Sequence, residues 1–321
     1  MKIIPLITEY LRVIIQKYPK EDQILFNNKL IELKKDNFQI LTPQLAEAYK
    51  SICFIDGGEA EILKAGNFSL SFIRVAAICF NNNKKKFSHK KEFFLLTTST
   101  VQNEEVYFQS KIFGDKLIDE SDLFVSSRDE TIRQGLERAA PSKIASQARR
   151  FAELSLAINI ESISSKKPDF IVLDGNLEST YKNEDKYISR LPTHTSALAK
   201  TSNLFTINGN SPNAFLKERA PSGCWSYSLD ENNSFVNLSS RAQHVFRFSG
   251  NQSVLPCLLD NCSDSTFLGY PYGLILVDQL ARISNNEKSL IKSKILLDKK
   301  NSSFLSYLNT ANAHDILDRM G

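Results

Sequence analysis

Two carboxylates in this sequence follow apolar runs and precede glycine. Asp56 ends the apolar part of "SICFIDGGEAEI" before Gly57, and Asp174 ends that of "DFIVLDGNLES" before Gly175. A carboxylate at the end of a buried strand meets the crevice where open sheets bind ligands, and glycine lets the chain turn sharply there. The pattern predicts two Asp–Gly corners on adjacent strands, with both carboxylates in one crevice.

Carboxylates brought together in this way could bind divalent cations. Like charges at short range raise each other's pKa unless a cation neutralises them. Oxygen ligands suit Mg²⁺ or Mn²⁺, and a carboxylate cluster that holds two such ions serves phosphodiester hydrolysis. The alternative for each dipeptide is a tight turn, which is the usual meaning of Asp–Gly. The residues alone leave the metal site and the pair of turns equally open.

A third carboxylate is expected from the segment that precedes the second strand. Glu153 lies in "ARRFAELSLAI", where apolar residues recur at helical spacing, and a glutamate there could aim its carboxylate at the strand ends. Two alternatives remain. Glu153 could face solvent, or Glu130 or Glu137 could supply the carboxylate in its place.

These residues require a sheet with helices to position them. Residues 51 to about 118 contain runs of aromatic and β-branched residues separated by turn residues, which predicts an antiparallel meander. A long helix that ends near residue 162 is expected next. The continuously apolar run in "PDFIVLDG" then predicts a strand covered on both faces, lying beside the first strand.

The remaining segments predict further helices and strands. Residues 1–48 are expected to be helical, including "EDQILFNNKLIELKKDN" and "TPQLAEAYKS", in which Thr42 caps and Pro43 takes the first helical position. We expect strands at "GCWSYSL" and "HVFRFSG", and a helix or strand edge at "SALAKTSNLF". The C-terminal part predicts a helical region, "GLILVDQLARISNNEKSLIKSKILLDKK", and a closing helix, "SYLNTANAHDILDRMG".

Composition places the chain among ordinary globular proteins, with 42% hydrophobic and 24% charged residues in a length of 321. No apolar run approaches the ~20 residues that cross a bilayer. The N-terminal apolar run is interrupted by Pro5, Glu9 and Arg12, which favours an amphipathic helix over a signal peptide and predicts a cytoplasmic protein without membrane contact. The five cysteines, odd in number, indicate free thiols in a reducing compartment.

Basic residues are clustered rather than evenly spread. The net charge of +4 is too small to establish nucleic-acid binding by itself. Lysines are concentrated in "NNNKKKFSHKK", residues 81–91. A solvated hairpin tip and a contact with phosphate are equally good interpretations of this run.

The order of several motifs resembles that of the NurA nuclease family. From about residue 50 onward the chain contains, in order, "FIDGG", "RRFAE", "DFIVLDGNL", "ALAKTSNL", "GCWSY", "GYPYGLILVDQLARI" and "AHDILD". NurA proteins are DNA-end-resection nucleases with an RNase H-like core that work with the hexameric HerA translocase. The resemblance implies an α/β fold, an RNase H-like mixed sheet flanked by helices, with N-terminal and C-terminal helical additions.

The resemblance also implies domains and metal ligands. Residues 49–321 would form the nuclease domain, and the helical segment 1–48 would be a partner or dimer contact. Asp56, Glu153 and Asp174 match the family's manganese ligands. His314 matches its C-terminal histidine, as a further ligand or a proton shuttle. The implied cofactor is Mn²⁺ or Mg²⁺, as two ions.

Four other residues match positions that would contact DNA. Arg74 and Lys200 match basic positions that could hold phosphate without reading sequence. Tyr227, and less closely Trp225, match an aromatic site residue that could stack on an unwound base.

The function implied is a metal-dependent deoxyribonuclease, an exonuclease and possible single-strand endonuclease. It would process DNA ends as a homodimer with a HerA-type hexameric ATPase, in repair or anti-phage defence. The main alternative is a catalytically silent DNA-binding adaptor subunit of a motor ATPase. A sugar or acetate kinase on the same core would need two related halves, and the sequence has one. A binding module without catalysis would leave the buried carboxylates unexplained.

Overall fold

A computed structural model describes residues 3–16, 22–43, 50–163, 167–297 and 307–308. The chain forms two compact units. Unit 1 comprises Met1–Ala46 and Ala197–Pro271, and unit 2 comprises Glu47–Ser196 and Tyr272–Gly321. Residues before 47 therefore share a unit with part of the C-terminal half, whereas the sequence prediction groups residues 49–321. None of the helices within the described ranges combines the length and the apolar character needed to cross a membrane.

The strands, in chain order, are β1 Gln23–Phe26, β2 Lys29–Glu32, β3 Phe38–Ile40, β4 Ser51–Ala65, β5 Phe68–Asn81, β6 Lys84–Gln102, β7 Glu105–Gly114, β8 Val125–Ser126, β9 Phe170–Asp174, β10 Thr195–Ala199, β11 Trp225–Ser228, β12 Asn233–Asn237 and β13 Phe246–Gly250. The helices are α1 Ile3–Gln16, α2 Ile144–Ile163, α3 Asp185–Ile188, α4 Pro212–Arg219, α5 Leu255–Leu258, α6 Tyr272–Ala281 and α7 Asn285–Leu296.

Unit 2 is built on a mixed sheet. Strands β4 to β8 pair antiparallel in sequence order, and β9 pairs parallel with β4, placing Phe170 to Leu173 opposite Ile52 to Ile55. An antiparallel meander, then a helix, then a strand parallel to the first is the RNase H-like arrangement. The predicted meander, the long helix α2 and the position of β9 beside β4 are confirmed.

Two-residue turns connect the long strands of the meander. Asn82 and Asn83, with φ of 50° and 54°, join β5 to β6, and Asn103 and Glu104 join β6 to β7 in the same conformation. Left-handed residues in such turns match the twist of paired strands. Lys84–Lys86 begin β6 and are exposed. The lysine run therefore starts at a hairpin tip, and its contact with phosphate stays a prediction.

Helices cover both faces of β4. A β-carbon on Gly57 would lie 2.9 Å from Cγ of Arg149 in α2, and one on Gly58 would lie 2.4 Å from the carbonyl oxygen of Ala281 in α6. Neighbouring residues of a strand point to opposite faces, so α2 and α6 lie on opposite sides of β4. The glycines permit this close packing on both sides.

The predicted corner after Asp56 is wrong. Strand β4 continues through Gly57 and Gly58 to Ala65, because β5 pairs with it across both glycines. The predicted corner after Asp174 is confirmed: β9 ends there, and Gly175 has φ of +105°. The same dipeptide thus serves helix packing on one strand and a turn after the other.

The C-terminal helical region is two helices rather than one. Between α6 and α7, the Ser284 side chain accepts a hydrogen bond from the backbone N–H of Glu287 and caps α7. Apolar residues of α7, including Ile291 and Ile295, pack on the far end of the β4–β5 ribbon around Phe68 and Phe72. The predicted closing helix lies outside the described residues except for Tyr307 and Leu308.

Unit 1 contains strands where helices were predicted. The segment "EDQILFNNKLIELKKDN" forms the β1–β2 hairpin, with Asn27 and Asn28 at φ of 49° and 59° in its turn. Ile24 and Phe26 are buried, whereas Leu25 between them is exposed, which is the two-residue period of a strand. The prediction of helix here is wrong. The predicted helix "TPQLAEAYKS" lies largely outside the described residues.

The rest of unit 1 includes an antiparallel array in the order β3, β11, β12, β13. This confirms the strands predicted at "GCWSYSL" and "HVFRFSG". Its core packs Trp225 and Tyr227 with Ile24, Phe26 and Phe235. Helix α1 is formed as predicted, and every described side chain in it, from Ile3 to Ile14, is exposed.

Candidate active site

Asp56 and Asp174 lie side by side on two parallel strands of unit 2. The last matched pair of β4 and β9 is Ile55 and Leu173, so the next residue on each strand is an aspartate. Asp56 is buried, at 6% exposure, whereas Asp174 is half-buried at the strand end. The parallel register therefore brings together two carboxylates that are distant in sequence.

Glu153 brings a third carboxylate to this place from α2. Its side chain is buried, and its Oε1 atom lies against the backbone of Gly57, the residue after Asp56. Glu130 and Glu137 do not supply this carboxylate, because both precede α2 in the chain and have exposed side chains. The structure thus brings Asp56, Glu153 and Asp174 into one site.

The pKa of Asp56 responds to its burial and to both of the other carboxylates. Burial, followed by the charges of Glu153 and Asp174, raises the pKa of Asp56 from 3.8 to about 8. The backbone N–H of Gly57, 2.7 Å from Asp56 Oδ1, and the charge of Arg149 oppose this increase. At neutral pH Asp56 therefore holds a proton, because its negative charge would be buried and not fully compensated.

Arginine partly compensates the charge of Glu153. Burial raises the pKa of the Glu153 carboxyl, and the charges of Arg149 and Arg150 oppose that effect. The Arg149 guanidinium donates from Nη1 to Glu153 Oε1, one helical turn away, and from Nε to Glu59 Oε2 at 2.7 Å. Arg149 therefore bridges a carboxylate of α2 and a carboxylate of β4.

Arg150 holds the loop that follows Asp174. Its Nε donates to Glu184 Oε1 at 2.7 Å and its Nη2 to the carbonyl oxygen of Asn176 at 2.6 Å. Glu184 is buried and also accepts from the backbone N–H groups of Thr180 and Tyr181. This network fixes the chain just beyond Asp174 relative to α2.

The donor set of the site fits a hard divalent cation. It consists of carboxylate oxygens, which Mg²⁺ and Mn²⁺ prefer. An added cation would offset the burial and the repulsion that keep Asp56 protonated. In the part of the chain that is described, no group of three or more histidine, cysteine, aspartate or glutamate side chains is arranged to hold a metal ion. At this site Glu153 is instead engaged by Arg149.

Arg74 belongs to unit 2 but does not face solvent. It is 8% exposed, and its guanidinium donates to Glu92 Oε1 at 2.6 Å, to the carbonyl oxygen of Arg282 at 3.0 Å, and to Glu287. These contacts link β5, β6 and the start of α7. Its role in holding phosphate stays a prediction.

The other DNA-contact candidates lie in unit 1, and His314 lies outside the described residues. Lys200 is exposed, lines a cavity of about 530 Å³ and has its Nζ 5.2 Å from the ring centroid of Tyr270. Trp225 and Tyr227 are fully buried. The Tyr227 hydroxyl accepts from the backbone N–H of Lys34 and donates to the carbonyl oxygen of Glu32. In this conformation neither ring offers a face to a base.

Sequence reasoning missed Arg149 and Glu59. Glu59 sits on β4 and also accepts a hydrogen bond from the Ser146 hydroxyl at 2.6 Å. The spacing of Arg149 and Glu153, four residues apart on a predicted helix, was a usable signal for an ion pair. Nothing in the sequence around Glu59 indicated that α2 would pack there.

No protein-family model matches the chain, and none of the curated proteins matches it either. Similar solved structures include endonuclease V of Ciona intestinalis in complex with a 23mer DNA, at 9% identity and a TM-score of 0.42 over 80% of this chain and 93% of that one. The catalytic domain of human endonuclease V matches at 11% identity and a TM-score of 0.39, over 80% and 92%. Clostridium butyricum Argonaute, bound to guide and target DNA, matches at 10% identity and a TM-score of 0.30, over 75% and 27%.

Proposed function

We propose that this protein is a metal-dependent DNA nuclease that hydrolyses phosphodiester bonds. The observation that carries the proposal is the meeting of Asp56, Glu153 and Asp174 in unit 2, where burial and mutual repulsion raise the pKa of Asp56 to about 8. A buried acidic group whose charge is left without a full partner is a feature of functional sites rather than of stable cores. The RNase H-like order of β4, β5, β6, α2 and β9 is consistent with this chemistry.

Asp56, Glu153 and Asp174 would hold Mn²⁺ or Mg²⁺, as two ions, with His314 as a further ligand. When bound, such ions activate water and stabilise the leaving oxygen of a phosphodiester. The chain itself positions the ligands. Strand register sets the two aspartates, and the close approach of α2 to Gly57 sets Glu153.

The substrate in this proposal is DNA, at ends or in single strands, which fits a phosphodiester nuclease with basic surface elements. The lysine run that begins β6 and the exposed Lys200 could contact the phosphate backbone without reading sequence. Because the order of motifs resembles that of NurA proteins, we propose that the chain is an exonuclease that could also cut single strands. It would work with a HerA-type hexameric ATPase in repair or anti-phage defence.

We also propose that the chain works as a homodimer and that α1 supplies the contact. This helix exposes a set of large apolar side chains to solvent: Ile3, Ile4, Leu6, Ile7, Tyr10, Leu11, Val13 and Ile14. Contiguous exposed apolar surface of this kind is typical of protein–protein interfaces. A second copy of the same helix would bury it symmetrically.

A second candidate function is a catalytically silent adaptor that binds DNA for a motor ATPase. One observation favours it: Arg149 engages Glu153, and the described residues contain no carboxylate group arranged for metal. The adaptor hypothesis predicts that the chain binds DNA without degrading it. It also predicts that changes at Asp56 leave all DNA-related behaviour unaltered.

The deciding experiment incubates the full chain with end-labelled single- and double-stranded DNA in Mn²⁺, Mg²⁺ or chelator. We expect degradation only with a divalent cation. Asp56→Asn and Asp174→Asn should each lose more than roughly 100-fold in activity, because altering a metal ligand costs more than altering a residue that only supports a ligand. The control is Asp278→Asn, which alters the ion pair between Asp278 on α6 and the exposed Arg282 that follows this helix. Degradation in chelator, or full activity in Asp56→Asn, would contradict the proposal.

A further inference from the structure

We propose that Arg149 is a tethered counter-ion: it neutralises Glu153 while the site is metal-free, and it shifts fully to Glu59 when a divalent cation binds. This inference rests on the proposed metal-dependent function and concerns how the same site is regulated. Arg149 is a positioning residue in this account. It prepares the site for its cation without touching the substrate.

The geometry gives Arg149 two places to bind. Its Nε donates to Glu59 Oε2 at 2.7 Å, and its Nη1 donates to Glu153 Oε1 and lies 3.5 Å from the carbonyl oxygen of Gly57. The Glu153 side chain is 3% exposed, whereas those of Arg149 and Glu59 are 30% and 28% exposed. One end of the bridge is therefore deep in the site, and the other end reaches towards solvent.

Among the described residues that face Glu153, Arg149 is the one cation that can leave it without leaving another buried charge unpaired. Arg150 lies farther away, with Nη1 at 3.8 Å from Glu153 Oε2. It is held by the buried carboxylate of Glu184 and by the carbonyl oxygen of Asn176. Moving Arg150 would leave the buried charge of Glu184 unpaired, which is costly. Releasing Arg149 from Glu153 leaves it paired with Glu59.

A guanidinium and a metal ion compete for the same carboxylate oxygen. Both are positive, and two like charges a few ångströms apart repel each other strongly in a partly buried site. Metal binding at Glu153 therefore requires Arg149 to leave that oxygen. Glu59 is already oriented by the Ser146 hydroxyl, so it offers the guanidinium a formed alternative partner. Because the two binding equilibria are linked, any interaction that stabilises the pair of Arg149 and Glu153 lowers the affinity of the site for the metal ion to the same extent.

The test measures Mn²⁺ binding to the full chain by isothermal titration, and the thermal midpoint in chelator. Arg149→Gln removes the competing cation, so we expect Mn²⁺ to bind about tenfold more tightly and the metal-free protein to melt at a lower temperature. Glu59→Gln removes the alternative partner, so we expect Mn²⁺ to bind several-fold more weakly. A residue with a merely structural role would not move the two affinities in opposite directions.

Matched controls use two other ion pairs of the same unit, each with one exposed member. Arg133→Gln breaks the pair with Glu130, and Glu61→Gln breaks the pair with Lys64. Both should leave Mn²⁺ affinity unchanged. If the natural chain binds Mn²⁺ in a way that Asp56→Asn abolishes, but Arg149→Gln binds it no more tightly and Glu59→Gln no more weakly, the counter-ion role is overturned and the nuclease proposal stands. If the natural chain shows no binding that depends on Asp56, both are overturned. Should Arg149→Gln not fold, Glu59→Gln alone decides, because unchanged affinity there overturns the exchange.

Discussion

The carboxylate of Glu153 and the backbone of Gly57 are so close that no side chain fits between them. A β-carbon on Gly57 would lie 2.7 Å from Glu153 Oε1 and 3.1 Å from its Cγ. Real β-carbons do not approach oxygen that closely in packed interiors, so the side chains of Glu153 and Arg149 can lie against β4 in this way only because residue 57 is glycine. The glycine after Asp56 thus lets two acidic side chains from different elements meet.

The first prediction is that Gly57→Ala displaces Glu153 and Arg149 from the site. We expect metal-dependent DNA degradation to fall by at least about tenfold. Displacing a metal ligand should reduce activity at least as much as substituting the residues that orient a ligand does. The free energy of unfolding should fall by roughly 1–3 kcal/mol, because the added methyl overpacks the contact. Nuclease assays and denaturant unfolding measure the two effects.

The control for this change is Gly66→Ala, at the turn between β4 and β5, where a β-carbon meets no atom within 4 Å. It should leave both activity and stability close to those of the natural chain. Unchanged activity in Gly57→Ala would show that the position of Glu153 does not matter for degradation.

Sequence patterns predicted the sheet of unit 2 better than the hairpin of unit 1. Strand β9 and helix α2 have apolar periods that fit only one kind of element. The β1–β2 segment does not, because the apolar residues Ile24, Leu25, Leu30 and Ile31 also fit a helical stripe. Its register is decided by Asn27 and Asn28 in a left-handed turn, and that is a property of two residues rather than of a period.

The sequence predicts the carboxylates of the candidate site but not the arginine that pairs with them. An aspartate at the end of an apolar run is visible in sequence, as is a glutamate on an apolar helix. The sequence does not reveal the role of Gly57, because a glycine needed for close packing looks the same in sequence as a glycine needed for a turn. Arg149 depends on which face of α2 meets β4, which only the packing of the two elements decides.

The second prediction concerns pH and the stability of the metal-free protein. Because the pKa of Asp56 is about 8 in the folded protein and near 3.8 in an unfolded chain, the folded form binds the proton more tightly. The contribution of Asp56 to the free energy of unfolding therefore has its full value below about pH 4 and is lost as the pH rises towards 8. In chelator and between these pH values, the free energy of unfolding of the natural chain should fall by up to about 1.4 kcal/mol per pH unit relative to that of Asp56→Asn.

Urea unfolding at several pH values measures this difference, with Asp278→Asn as a variant that should follow the natural chain. Adding Mn²⁺ should flatten the dependence on pH, because a bound cation favours the ionised carboxylate. Parallel curves for the natural chain and Asp56→Asn in chelator would mean that Asp56 is not a protonated group at neutral pH.

The third prediction tests how α6 is seated on β4. A β-carbon on Gly273 would lie 2.2 Å from two ring atoms of Phe54, which is fully buried. Gly273→Ala should therefore cost about 1–3 kcal/mol of the free energy of unfolding. Combining it with Phe54→Leu should recover part of that loss, since the smaller side chain makes room, and a double-mutant cycle measures the coupling. Additive losses would show that the two residues do not press on each other.

The fourth prediction separates two roles for Arg74. The guanidinium is engaged by Glu92, Glu287 and the Arg282 carbonyl, so we expect Arg74→Gln to lower stability by about 1–3 kcal/mol through lost charged hydrogen bonds. DNA affinity at fixed salt should stay the same. A weaker affinity with a salt slope reduced by about one would instead assign Arg74 to a phosphate, as the resemblance implies.

The fifth prediction addresses the exposed helix α1. Ile7 and Leu11 lie one turn apart on it and are 52% and 50% exposed, so a charge at either position costs little in an isolated chain and much inside an apolar contact. We expect Ile7→Asp with Leu11→Asp to convert a dimer to a monomer in light scattering coupled to size exclusion. Glu9→Gln, on the same helix, should leave the mass of a dimer unchanged. A natural chain that is monomeric at every concentration would refute the homodimer, and a dimer that survives both aspartates would place the contact elsewhere.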